Sequence, residues 1–226
     1  MSGASIALRA RNINKYFYTP DKLQVLNNVG FDVEKGEFVS VTGKSGSGKS
    51  TMLYILSTMD TDYEGTIELN GEKISGRSEN YLAKFRNEHL GFVFQFHYLL
   101  PDFSCLKNVM IPALRLGRLS PKEIEHNAYE KMKQLGVGEQ ALKPASKISG
   151  GQQQRVAIAR ALINEPSVIM CDEPTGNLDT KNTGIVFDIF QRLSAEHKKT
   201  IIVVSHDNDF ASKTNRIIEL RDGRIL

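Results

Sequence analysis

An α/β fold built on a parallel sheet is what this sequence predicts, and three observations predict it. Short, near-continuous apolar runs rich in β-branched residues recur at 167–171, 200–204 and 216–220. Helical patterns at 151–164 and 178–196 separate them. Strands that are apolar on both faces and alternate with helices belong to a parallel sheet covered on two sides. The third observation is the glycine-rich stretch Gly43-Lys44-Ser45-Gly46-Ser47-Gly48-Lys49-Ser50-Thr51, which follows a β-rich run at 37–41 and leads into an apolar helical start at 52–56.

Taken in order, residues 6–13 alternate apolar and polar, as does 29–33, and 65–69 is closed by Asn70-Gly71. Asn-Gly between alternating runs is the strongest short hairpin signal, so these three strands read as an antiparallel β-layer beside the α/β core. Residues 90–94 form another strand, ending at Gln95. From about 105 to 136 the pattern is helical, with a capping box at Ser120-Pro121-Lys122-Glu123 and a C-terminal glycine at Gly136. The pattern loosens until Ile148, and the sequence ends with a strand turning at Asp222-Gly223. This gives one domain over 1–226: residues 1–95 and 148–226 form the core with its β-layer, and 96–147 is an inserted helical subdomain.

Composition narrows the partners without choosing one. The 226 residues are 40% hydrophobic and 24% charged, with a net charge of +3 and a pI near 8.8. No nucleic-acid motif or dense basic run accompanies that mild basic excess, so no nucleic-acid partner is expected. Cys105 and Cys171 lie far apart, which fits a reducing compartment better than a disulfide framework. Met1-Ser2-Gly3-Ala4-Ser5 lacks the charged-then-apolar pattern of a signal peptide. Apolar runs such as 201–204 fall far short of the ~18 residues that a membrane span needs, so any membrane role is expected to come through a partner. The five histidines lack ligand spacing, and no zinc site is expected.

The chemistry starts at 43–51. A strand, a glycine-rich turn and a helix opening with Gly-Lys-Ser form the P-loop arrangement. Gly43, Gly46 and Gly48 leave no Cβ between the backbone amides and a phosphate, and the helix start adds unpaired N–H groups. Lys49 is placed to hold the β/γ-phosphates and the Ser50 hydroxyl to ligate Mg²⁺. The apolar strand ending at Asp172-Glu173 supplies two carboxylates: Asp172 for Mg²⁺ and Glu173 as a base for the attacking water. A second turn, Ser149-Gly150-Gly151-Gln152, opens another helix. Ser149 and Gln152 form a capping box, and the serine with two glycines also makes a second phosphate nest. Two nests for one P-loop is the puzzle this sequence sets.

The run Ile148-Ser149-Gly150-Gly151-Gln152-Gln153-Gln154-Arg155 resembles the signature motif of ABC-type ATPases, with Ile148 in place of the usual leucine. The family's other motifs follow in order: the P-loop, Gln95 as Q-loop residue, Asp172-Glu173, Asp179 as D-loop residue and His206 as switch histidine. The resemblance covers essentially the whole chain. It implies a RecA-like ABC nucleotide-binding domain that hydrolyses ATP, with Ser50, Gln95 and Asp172 about Mg²⁺. It also implies a head-to-tail dimer in which Ser149, Gly150, Gly151 and Gln152 of one copy complete the site on the other's P-loop. Lys49, Glu173 and His206 are then the catalytic set, and Gly43, Lys44, Ser45, Gly46, Ser47, Gly48, Ser50, Thr51 and Gln95 bind ATP. Three aromatics, Tyr16, Phe17 and Tyr18, stand where the family stacks one on adenine; counting to Val29 favours Phe17, with Tyr16 next.

The apolar stretch 95–103 that follows Gln95, together with Asp172-Glu173-Pro174-Thr175-Gly176-Asn177-Leu178-Asp179, resembles one branch of the family. That branch contains the ATPase subunits of bacterial lipoprotein-releasing, macrolide-exporting and cell-division systems, and the likeness is closest to the first. It implies integral membrane subunits docked near 95–103, a place at the cytoplasmic face of the inner membrane, and release of lipoproteins toward the outer membrane as the work done. A peptide or macrolide exporter or a cell-division complex is the alternative. A soluble ABC ATPase without transport is disfavoured, because neither a second cassette nor a coiled-coil insertion is present.

Overall fold

The structure is a computed structural model that describes residues 5–18 and 20–226. The expectation for the first four residues lies outside the described residues. In chain order come β1 (Ile6–Phe17), β2 (Leu23–Glu34), β3 (Phe38–Thr42), α1 (Lys49–Leu56), β4 (Glu64–Leu69), β5 (Glu72–Lys73), α2 (Glu79–His89) and β6 (Leu90–Val93). Then follow α3 (Cys105–Leu116), α4 (Pro121–Gln134), α5 (Gly150–Leu162), β7 (Val168–Asp172) and α6 (Thr180–Ala195). The chain closes with β8 (Thr200–Val204), α7 (Asn208–Ala211), β9 (Arg216–Arg221) and β10 (Arg224–Ile225).

Two compact units emerge: Met1–Ala83 with Phe190–Leu226, and Lys84–Ile189. In the first, an antiparallel sheet runs in the order β2-β1-β4-β5. Its register sets Leu8 opposite Val33 and Ala10 opposite Phe31, so the apolar face of each strand is buried. Asn70 and Gly71 both take positive φ, 52° and 82°, as a two-residue hairpin turn requires. The same unit holds β3 between β8 and β9, parallel to both, with β10 folded back on β9. Every residue of β8 is buried, which is why its sequence is an unbroken apolar run rather than an alternation.

In the second unit α3, α4 and α5 enclose a core of Cys105, Val109, Ile124, Met132, Val156 and Ala159, and β6 runs parallel to β7. Truncating a fully buried residue such as Ile124 to alanine costs about 2–5 kcal/mol. The Ser120–Glu123 capping box forms reciprocally, with Pro121 at the first helical position. The expected helical run from 105 is not continuous. Gly117, at φ 70°, caps α3 in the left-handed conformation, and α4 begins four residues on, at Pro121. Helix α2 went unanticipated because its face is narrow: only Leu82 and Phe85 are buried in an otherwise polar stretch. Cys105 and Cys171 are both free and buried.

Candidate nucleotide-binding site

In the first unit β3 is buried along its length and delivers the chain into 43–48, and α1 begins at Lys49. The loop leaves no choice of residue at two points. A Cβ on Gly43, at φ 148°, would overlap the carbonyl oxygen of Leu220. A Cβ on Gly48, at φ 100°, would sit 2.9 Å from Leu26 Cδ2 and 3.0 Å from the Val25 carbonyl. Gly48 is also the N-cap of α1, which has no side-chain cap and no acidic residue in its first turn. An uncapped helix start free of carboxylates is an anion site. The Lys49 ammonium folds back over the loop, donating to the carbonyls of Gly43 and Lys44 at 2.9 Å each. An ammonium has three N–H donors, so one remains for a phosphate oxygen. Ser47 Oγ is buried and has no hydrogen-bond partner among the described residues, an orphaned hydroxyl inside the same cradle. The pocket thus has the donors a polyphosphate needs.

His206 leaves the same edge of the parallel strands. β3 and β8 run in register, Val41 opposite Val204, and the amide of Ser205 donates to the Val41 carbonyl at 3.1 Å. His206 itself is exposed, and Asp207 caps α7 directly behind it. Phe17 ends β1 opposite Leu23, two residues before the Val25 carbonyl that lies against Gly48. It is exposed, with the Lys15 ammonium 5.0 Å from its ring centre. Tyr16 and Tyr18 instead share the Lys22 ammonium, at 4.5 and 5.9 Å.

The second unit carries the carboxylates. All five residues of β7 are buried, and Asp172 is the last of them. Glu173 follows at φ 45°, a left-handed conformation that costs a non-glycine residue about 1–3 kcal/mol. A Cβ on Gly176 would lie 2.9 Å from Gln95 Nε2 and 3.5 Å from Glu173 Oε2. The Q-loop amide and the candidate base therefore converge on one glycine, far apart though they are in sequence. Asp179 Oδ1 accepts from Asn182 N at 2.7 Å and from Asn182 Nδ2 at 2.9 Å. Those bonds hold the Asp179 carboxyl below its ordinary range.

The second turn, also in this unit, begins at Ser149. Its hydroxyl accepts from Gln152 N at 3.4 Å, and Gln152 Oε1 accepts from Ser149 N at 2.9 Å. Gln152 is thereby committed to the cap, while Ser149 and Gly150 are exposed. Gly151 is covered: a Cβ there would overlap the Asn182 carboxamide. Among the described residues nothing lies within 4 Å of a Cβ on Gly150. Of the oxygen donors expected for a metal, the Ser50 hydroxyl belongs to the first unit, and the Gln95 amide and Asp172 carboxylate belong to the second. Among the described residues no three His, Cys, Asp or Glu side chains cluster. A few hard oxygen donors completed by substrate phosphates suit Mg²⁺.

Three side chains escaped the sequence reading. Arg160 donates from Nη1 to the Tyr98 carbonyl and from Nη2 to the His97 carbonyl, each at 2.7 Å. Asn108, fully buried, accepts from Leu100 N at 2.7 Å and donates to the carbonyls of Leu100 and Ser104 at 3.1 Å. Asn182 is the third. A polar residue amid the apolar positions of α3 was the available signal for Asn108; the other two gave none.

A buried strand feeding a glycine loop, with its lysine folded over the loop carbonyls, defines a P-loop nucleotide-binding protein. The ABC transporter family profile matches residues 26–176. The chain belongs to that family and is an ABC-type ATPase. It is similar to the lipoprotein-releasing system ATP-binding protein LolD of Aquifex aeolicus, 44% identical over 97% of this chain and 96% of that protein. It is likewise similar to LolD of Leptospira interrogans, 46% identical over 90% of this chain and 85% of that protein. Among solved structures it resembles the dimeric bacterial ABC transporter cassette MJ0796, with a TM-score of 0.89 and 38% identity over 96% of each chain. A post-hydrolysis dimer of that cassette bound to ADP and Pi gives a TM-score of 0.90, again with 38% identity over 96% of each chain.

Proposed function

We propose that the chain is the ATP-hydrolysing subunit of a membrane transporter that releases lipoproteins from the bacterial inner membrane, working at its cytoplasmic face as a dimer of two copies. Gly150 carries the dimeric part of this reading. Among the described residues nothing requires a glycine there; it stands on an exposed helix start with donors to spare, and an approaching phosphate explains it. The Ser149-Gly150-Gly151 turn of one copy closes over the P-loop of the other. Lys49 and the loop amides bind the β- and γ-phosphates, and Phe17 stacks on adenine. Ser50, Gln95 and Asp172 would hold Mg²⁺, which would supply charge neutralisation at the phosphates. Glu173 accepts a proton from the attacking water. His206 donates to the γ-phosphate as charge develops there, and Asp179 lines the seam between the copies.

Membrane subunits dock on the segment after Gln95. Phe96 and Tyr98 are 60% and 64% exposed, and Leu100 and Phe103 stand beside them in sequence, also exposed. Among the described residues no helix is long and apolar enough to cross a membrane, so attachment through such a surface is what the chain offers. The relatives at 44–46% identity support lipoproteins as the cargo. The test is to purify the chain from membranes, identify the polypeptides bound to it and reconstitute the complex with acylated lipoprotein. ATP-dependent release of lipoprotein is expected; hydrolysis stimulated by a macrolide or peptide instead would overturn the cargo assignment.

A further inference from the structure

The segment after Gln95 is exposed in its side chains yet pinned in its backbone. From α5, Arg160 sends the two arms of one planar guanidinium to consecutive carbonyls, those of His97 and Tyr98. A fork onto two acceptors fixes direction as well as distance, which a lysine ammonium cannot do. Tyr98 is held at φ 45°, a conformation that persists only when its surroundings impose it. Its ring packs edge-on to Phe94, 5.0 Å between centres. Burial lowers the pKa of His97, with a further contribution from the Arg160 charge, so the imidazole beside the clamp is biased toward its neutral form.

Arg160 sits on the helix that begins at Gly150. Ten residue steps of α-helix lead from one to the other, about 15 Å of stiff rod. We propose that Arg160 is a positioning residue that makes the segment after Gln95 and the Ser149-Gly150-Gly151 turn move as one body. A displacement imposed at 96–103 then reaches the turn that closes over the second copy's nucleotide. This inference rests on reading 96–103 as the docking surface; the clamp itself does not.

The experiment uses Arg160→Lys, which keeps the charge and loses the fork. In the isolated full chain, amide exchange at residues 96–99 is expected to rise at least tenfold. In the reconstituted complex, KM for ATP is expected to stay within twofold of wild type while the stimulation of kcat by the membrane subunits is lost. Unchanged exchange at 96–99, or full stimulation in the variant, overturns the proposal. Where the variant does not fold, the wild-type chain serves. Docking of the membrane subunits must change exchange at 96–99 and at 150–153 together, and a change confined to the first segment overturns it. Leu100→Ser separates the two readings. If it still co-purifies with the membrane subunits, the docking assignment fails, whatever Arg160→Lys does to exchange.

Discussion

The two glycine turns, 43–48 and 149–151, invite comparison because both open a helix and both present backbone N–H groups, yet their glycines answer to different constraints. At the P-loop the chain itself forbids a side chain: Gly43 abuts the Leu220 carbonyl and Gly48 abuts Leu26 and Val25, both at positive φ. In the second turn neither glycine has positive φ. Gly151 is crowded by Asn182, and Gly150 faces open space. The glycines of the first turn are thus fixed by packing within the chain, with Lys49 folded onto the loop carbonyls. The second, on the reading proposed above, is left open for a phosphate held by another copy. A glycine's neighbours distinguish a position where the fold itself forbids a side chain from one where it does not.

The strongest way to probe that difference is to stop the reaction while both turns hold the same nucleotide. Glu173→Gln removes the base and is expected to lower turnover by about 10²- to 10⁴-fold while ATP stays bound. Size-exclusion chromatography with retained nucleotide should then show a dimer with two ATP; trapping by a lone copy would break the comparison. Next in size is a mixing experiment. Lys49→Ala and Gly150→Asp chains should each be nearly inactive. Mixed, they should recover roughly a quarter of the wild-type rate, because half of the random dimers then carry one intact site. No recovery would place the second turn over its own P-loop.

Stability separates the turns further. Gly43→Ala should lose about 2–4 kcal/mol in urea unfolding, from overpacking on top of a strained φ. Gly150→Ala should change stability by only about 0.5 kcal/mol, as at an unconstrained surface site. Equal losses would mean that Gly150 serves the fold after all. The smallest effect concerns Asn182, which covers Gly151 and holds Asp179. Because the folded carboxyl is depressed, its stabilising contribution is complete above the unfolded pKa of about 3.9 and fades as pH falls through the folded value. Asn182→Ala removes the side-chain bond and leaves the backbone N–H, so an NMR titration should find the Asp179 carboxyl moved part of the way up.

What could be read beforehand was whatever is local in the chain. The P-loop, the capping boxes at Ser120 and Ser149, the Asn70-Gly71 turn and the apolar runs of β7 and β8 announce themselves within a few residues of sequence. Gln95, Asp179 and His206 did not; motif order alone nominated them, since a lone glutamine, aspartate or histidine carries no periodic signal. Convergence of Gln95 and Glu173 on Gly176, and the fork from Arg160 to carbonyls some sixty residues away, are products of tertiary folding. Helix α2 was missed for the opposite reason: its local pattern is polar, and two buried residues suffice to seat it.

The burial of both thiols has a practical consequence. Cys105 and Cys171 are fully enclosed, and burial pushes both upward in pKa, Cys171 the further. Protonated and shielded, they are poor targets for maleimides. The natural chain is therefore a silent background for labelling, and a probe attached through a cysteine introduced at Phe103 or Gly150 would report from that position alone.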